Sequence, residues 1–224
     1  MMKKLSLVIL VMFAALLLCS SFAFAGTPGV NVAKVTFADE LVQLDYPQVR
    51  DMANEQAQHK INSVLSKEVN VLVADARKAN ALSIAQGGKA IFTSIRTSYD
   101  VRCNQAGILS ITLVKEEMME GAAHPLRGMS GLNFNSVTGE SISAQSISKL
   151  DKLTKAPDQF APKAVNAALK AAQKAGTIVL PPTFKGVTES VTNFYIDNAT
   201  NVWAIFLPDE IAPYAAGIIT VCLH

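Results

Sequence analysis

The chain has almost no excess charge: 20 lysines and arginines stand against 18 aspartates and glutamates. Lys3 and Lys4 account for the difference, so from Gly26 onward the chain is formally neutral. A neutral chain without a basic stripe lacks the electrostatic term on which nucleic-acid and anionic-lipid binding depend. Metal-binding residue patterns are missing too. There is no His-x-x-x-His, no Cys-x-x-Cys and no closed aspartate-rich loop, so neither a metal nor any other cofactor is expected. Asp197-Asn198-Ala199-Thr200-Asn201 offers oxygens but lacks a calcium loop's length and closing glutamate, and reads as a turn. No Gly-x-Ser-x-Gly occurs, and no Ser-x-x-Lys is framed by companion motifs. Long apolar runs are absent after the first 25 residues, which leaves nothing there to span a membrane.

What is present begins with a leader. Lys3 and Lys4 form a positive start, Leu5 to Leu18 an apolar core, and Ala23-Phe24-Ala25 a small-x-small cleavage pattern before Gly26. The run is short for a span, so residues 1–25 read as a removed signal peptide and the rest as exported, to the periplasm or the cell surface. A lipoprotein signal at Cys19 is disfavoured because Leu18 is not small. An uncleaved anchor is the third arrangement. Of 224 residues, 199 remain after cleavage, enough for one domain or a two-lobed unit. Cys103 and Cys222 are the cysteines left. In an oxidising compartment they are either a disulfide, worth about 4 kcal/mol for so long a loop, or two thiols packed as small hydrophobes.

Periodicity sets the fold class. Val32 to Phe37 and Leu41 to Tyr46 alternate as strands around Asp39-Glu40, with Pro47 ending the second. Ile61, Val64, Leu65, Val69, Leu72 and Ala76 then fall at helical spacing, predicting a helix from about Asp51 to Ala79. Ile91–Arg102 and Ile108–Glu117 form a hairpin around Asn104-Gln105-Ala106-Gly107. A short strand at Gly131–Asn135 follows, then a helical piece marked by Ile142, Ile147, Leu150 and Leu153. A second amphipathic helix spans Asp158–Ala175 with Val165, Ala168, Leu169 and Ala172 inward and Gly176 at its end. Thr177–Leu180 reads as a brief strand. Phe194–Ile196, Val202–Leu207 and Ile218–Val221 close the chain, with Trp203, Ile205 and Leu207 on one core face. The sum is α+β: antiparallel sheet built of hairpins, with two main amphipathic helices packed on one face. A soft boundary divides it into halves, 26–120 and 121–224.

Three segments carry a resemblance. Tyr46-Pro47 is followed by Ile61-Asn62, Gly121-Ala122-Ala123-His124-Pro125 comes just after the hairpin, and Asp209-Glu210-Ile211-Ala212-Pro213-Tyr214-Ala215-Ala216-Gly217 lies near the end. Together they resemble the extracellular domain family of the anti-sigma-V factor type, a bacterial envelope domain of unknown function also found beside peptidoglycan deacetylases. The resemblance implies a non-catalytic module outside the cytoplasmic membrane. In the anti-sigma-V factor that module recognises lysozyme, so the partner implied here is a protein such as lysozyme or a cell-wall fragment. Only Met1 to Lys4 precede the apolar run, so sigma-factor binding is not expected, and no deacetylase domain is expected either. Ala122 stands where the family signature has a second glycine.

The residues singled out for partner contact are His124, Tyr214, Pro213, Asp209 and Tyr46. His124 has two readings: a general base or contact residue, or a ring that pins its own loop. His59 reads as a wet helix residue and His224 as a terminal one. Asp209 and Glu210 read as one solvated carboxylate and one that anchors the loop. Tyr214 reads as a ring that packs while its hydroxyl meets a backbone carbonyl, or as an aromatic anchor for a partner. No residue is assigned to catalysis. The reading that follows is an exported binding module. The rivals are a small envelope hydrolase using His124 and a structural or assembly factor.

Overall fold

The computed structural model describes residues 29–147 and 157–223. The leader with Cys19, the helical residues Leu150 and Leu153, the Ser148-Lys149 pair and His224 lie outside the described residues. Among the described residues no helix is long and apolar enough to cross a membrane.

The chain opens with β1 (Asn31–Ala38) and β2 (Val42–Arg50), paired antiparallel. Asp39 shapes the turn by accepting from the N–H groups of Leu41 and Val42. These bonds, with Arg77 beside them, hold its carboxyl below the usual range. α1 (Glu55–Ala85) follows, capped by the Asn54 side chain on the Ala57 N–H at 3.1 Å. Sequence patterning starts the helix at Asp51, but Asp51 takes a positive φ of 54° and belongs to the turn before it. The helix buries Ala57, Ile61, Leu65, Val69, Val73 and Ala76, the stripe that its period requires. β3 (Phe92–Gln105) and β4 (Ile108–Met119) form the expected hairpin. Ala106 and Gly107, both at positive φ, make its two-residue turn. β5 (Leu126–Asn135) completes a five-stranded sheet in the order β1-β2-β3-β4-β5.

This larger sheet is mixed. α1 carries the chain from β2 back to the same end of the sheet, so β2 and β3 run parallel over Val42–Leu44. Beyond Leu44 the two strands part. Pro47 therefore does not end β2: it pairs with Lys34 of β1, and on its other side no strand needs the N–H it lacks. In place of a strand, Asn62 on α1 meets β2: its side-chain amide accepts from the Val49 N–H at 2.8 Å and donates to the Val49 carbonyl at 2.9 Å.

After a 3-10 turn (Pro157–Phe160), α2 (Pro162–Lys174) opens on proline and ends at Gly176, φ 73°. Thr177–Leu180 forms no strand. β6 (Phe194–Ile196), β7 (Val202–Phe206) and β8 (Ile219–Leu223) make a separate antiparallel sheet. Each helix covers its own sheet, so the two do not share a face. α1 lies on the larger sheet through Val69, Val73, Ile61 and Leu65. α2 lies on the smaller through Val165 and Leu169. β4 is sandwiched, Leu109, Ile111 and Leu113 toward α1 and Ile108 toward the smaller sheet's core, which is why it is buried on both faces. The half-boundary at 120/121 falls inside the β4–β5 pairing, and the larger sheet continues to Asn135.

The sheets meet through a polar seam. β6 turns an edge toward β4 and β5. Ser110 Oγ accepts from the Ile196 N–H at 2.9 Å and donates to Asn133 Oδ1 at 2.6 Å, while Asn133 Nδ2 donates to the Phe194 carbonyl at 2.8 Å. Asn193 pairs its amide with Gly131 N–H and Met129 C=O. A Cβ on Gly131 would lie 1.8 Å from the Phe194 carbonyl oxygen, so β5 must be bare there. Tyr195, Ile205 and Met129 fill the apolar part of the interface with Trp203 and Leu207 beside them.

Two stability predictions follow from this packing. Gly131→Ala lowers the free energy of unfolding by about 3 kcal/mol, read by chemical denaturation, because the clash is with backbone. Glu117, on β4, has its carboxyl pushed up by burial, with Lys115 opposing. A raised carboxylate pKa favours the fold while the group is neutral, and that advantage fades as pH climbs past the ordinary value of 4.5. Glu117→Gln therefore raises the melting temperature at pH 7 and leaves it unchanged near pH 3.

Candidate functional site

Two loops from different sheets come together. The first, 120–125, joins β4 to β5. Glu120 N–H donates to Ile91 C=O at 2.8 Å and Ala122 N–H to Met119 C=O at 3.1 Å, with Gly121 at φ 74° making the turn. Ala122 is not at positive φ, so alanine sits there without backbone strain. The second loop, 207–218, joins β7 to β8. Glu210 anchors it by accepting the Leu207 N–H at 2.7 Å. Asp209 N–H donates to Ala212 C=O while its own side chain stays exposed. Ile211 and Ala212 are buried in the smaller sheet's core. Pro213 leads into a single 3-10 turn, Tyr214–Ala216, closed by Gly217 at φ 69°.

The contact between them is made by side chains. The His124 and Tyr214 rings stack with centroids 4.2 Å apart and 21° between planes. The Tyr214 hydroxyl donates to the Pro125 carbonyl. His124 Nδ1 also faces that carbonyl, at 3.5 Å. Around the ring pair, Ala122, Ala123, Leu126, Pro213, Ala215 and Ala216 are all exposed, Leu126 at 49%. These small apolar residues are bordered by exposed charged ones, Glu120 and Arg127 at the ends of the first loop and Asp209 and Glu210 on the second.

The structure thus joins His124 and Tyr214, with Pro213 beside Tyr214 in sequence and Asp209 earlier on the same loop. Tyr46 stands apart on β2, with β3 between it and β4. It lines an apolar groove with Phe37, Leu44, Val69 and Arg77. No disulfide joins Cys103 and Cys222. Cys103 is buried in the core under α2, where burial pushes its thiol up, and Cys222 is half-buried on β8 opposite Trp203. The 197–201 turn is held by Asp197. Burial alone would raise its carboxyl, but bonds from Trp203 Nε1, Asn201 and backbone N–H groups outweigh that and hold it low. Among the described residues no group of three acidic, histidine or cysteine side chains is placed to hold a metal ion. The alanines and Leu126 of the exposed patch were not legible as a site. Their one signal was a run of small apolar residues in segments without period.

Residues 37–127 match the family model described as Deacetylase PdaC. The match takes in His124 and Pro125 and stops short of Tyr214. Two solved structures share the fold. One is a DUF3298-family member from Bacteroides fragilis, 14% identical, TM-score 0.57, covering 88% of this chain and 90% of that one. The other is a DUF3298-family protein from Pseudomonas aeruginosa, 13% identical, TM-score 0.52, covering 87% and 90%. No curated protein matches the sequence. Residues 37–127 are thus similar to that family model, and the fold as a whole is shared with these two structures.

Removing the hydroxyl of Tyr214 tests the junction. Tyr214→Phe should cost about 1 kcal/mol of stability and speed amide hydrogen exchange in residues 121–127, with the two sheets otherwise unchanged.

Proposed function

We propose that this chain is an exported, non-catalytic binding module of the bacterial envelope, whose recognition surface is the apposed 121–126 and 213–217 loops and whose partner is lysozyme or a peptidoglycan fragment. The observation that carries this is the His124–Tyr214 stack, which joins two loops whose alanines, Pro213 and Leu126 are exposed. Small apolar residues held rigid by backbone and hydroxyl bonds suit surface complementarity, and an aromatic at the centre of such a patch is a common energetic anchor. The leader pattern supports export. The resemblance to the anti-sigma-V factor's extracellular domain supports lysozyme as the first partner to test.

His124 fits this reading better than the hydrolase one. Its ring is committed to Tyr214 on one face, and its Nδ1 looks at a carbonyl already occupied by the tyrosine hydroxyl. A general base needs an orienting partner and a substrate proton within reach. Among the described residues no carboxylate bonds to this imidazole. The deacetylase activity in the matching family's description is not carried over to this segment.

The test is calorimetric titration of the purified chain lacking residues 1–25 against lysozyme and against soluble muropeptides. Binding to one of them is expected, weakened tenfold or more by Tyr214→Ala or by His124→Ala. No binding to either ligand, or binding indifferent to both substitutions, removes the proposal.

A further inference from the structure

Beside the 207–218 loop lies a cleft of about 380 Å³, opening where the chain from Gly186 to Asn193 approaches β7. Phe184, Val191 and Phe206 give it an apolar lining. Glu189 and Glu210 supply its charge, and no lysine or arginine lines it. Lys185 is next to the cleft in sequence but does not line it.

The 188–192 segment has unused hydrogen-bonding capacity. Asn193 C=O accepts from the Ile205 N–H at 2.9 Å, which extends the β6–β7 pairing by one residue. Upstream, Val191 N–H donates to Phe160 C=O at 3.0 Å, and Val187 is held at both backbone groups by Asn166. Between these fixed points the N–H groups of Thr188, Glu189, Ser190 and Thr192 donate to no group among the described residues. Four exposed residues thus lie between three anchors, at Val187, Val191 and Asn193, beside an apolar lining and two carboxylates.

We infer that this cleft receives an extended, lysine- or arginine-bearing segment of a protein partner, laid along residues 188–192 as an added strand with its cation between Glu189 and Glu210. Main-chain bonds to an open segment give such a site affinity, and the alternate side chains of the incoming strand choose the partner. One face of that strand meets the apolar lining and the other meets solvent. Charge sets the sign: on a chain that is neutral overall, this cleft presents two acids and no base, so a cation is attracted and an acidic segment repelled. Glu210 Oε2 is taken by Leu207, which leaves its second oxygen for the ligand. The inference rests on the binding-module reading, since Glu210 belongs to the same loop as Tyr214 and one partner would cover both.

The experiment uses the same purified chain and two acetylated, amidated hexapeptides, one alternating valine with lysine and one alternating valine with glutamate, followed by amide chemical shifts. The lysine peptide should move the amides of residues 187–193 and 205–211, and the glutamate peptide should leave them still. Glu189→Gln changes an exposed residue and preserves the fold. It should weaken the lysine peptide at least fivefold, as should 0.5 M salt. The inference falls if the lysine peptide shifts nothing in those segments, if both peptides bind alike, or if Glu189→Gln binds like the parent. The two readings fail separately. A peptide response with no lysozyme or muropeptide binding removes those ligands and keeps the cleft. Lysozyme binding with no peptide response removes the cleft and keeps the loop surface.

Discussion

The edge of β6 is the constraint around which the molecule is arranged. A three-residue strand paired on one side only has to satisfy its other side or leave polar groups buried and unpaired. Here that side faces the flank of a second sheet, where no strand among the described residues pairs with it. Ser110 and Asn133 stand in for the missing strand, and both are almost wholly buried. Each bond is worth only about 1 kcal/mol net, but an orphaned member would cost more than its bond returns. The seam is therefore specific: it fixes how far β6 slides along β4 and β5, and Gly131 fixes how close it comes.

The same device recurs across the fold. Asn62 holds Val49, Asn80 holds Phe92, Asn104 holds Val30, and Asn166 holds Val187, each through both its oxygen and its nitrogen. A side-chain amide has the donor and acceptor of a peptide group, so it can pair with backbone where no strand is available. Asparagine is a poor helix former because it competes for backbone bonds. Asn62, Asn80 and Asn166 accept that cost inside helices and return it as tertiary fixation. These clamps let a mixed sheet with diverging strands, an extended 181–193 segment and a second sheet hold one arrangement. The loops at the sheet ends then meet in register, and His124 reaches Tyr214.

Much of the fold was legible. The α1 stripe, the Ala106-Gly107 turn and the last three strands each follow from a local period or a local turn, and the α+β class follows from them. What was not legible came from pairing at a distance. The parallel β2–β3 register depends on where α1 returns the chain, and no residue of β2 encodes it. Pro47 looked like a strand end because proline spoils a ladder. It does so only when a second strand is present, and β3 has already turned away. Thr177–Leu180 has strand composition but no pairing strand among the described residues. At the site, Tyr214's hydroxyl bond to a carbonyl was foreseeable in kind, though Pro125 as its acceptor was not. Glu210 as the anchor and Asp209 as the solvated acid follow from a turn whose positive φ at Asp209 no propensity would assign. Tyr46 was grouped with the others by resemblance alone, and the sheet order separates it.

In the proposed recognition role the two loops divide the labour. A catalytic histidine is held so that one nitrogen points at a reacting atom while the other is oriented by a partner. His124 is held by its face, through a stacked ring, while its Nδ1 faces the Pro125 carbonyl at 3.5 Å. The Tyr214 hydroxyl donates to that same carbonyl. What remains outward there is Pro213, four alanines, Leu126 and the ring pair. A surface of that kind loses little conformational entropy when covered, since alanine and proline have almost none to lose. Its affinity then depends on whether a partner's contour matches, and that contour exists only while the polar seam under β6 keeps the two sheets docked.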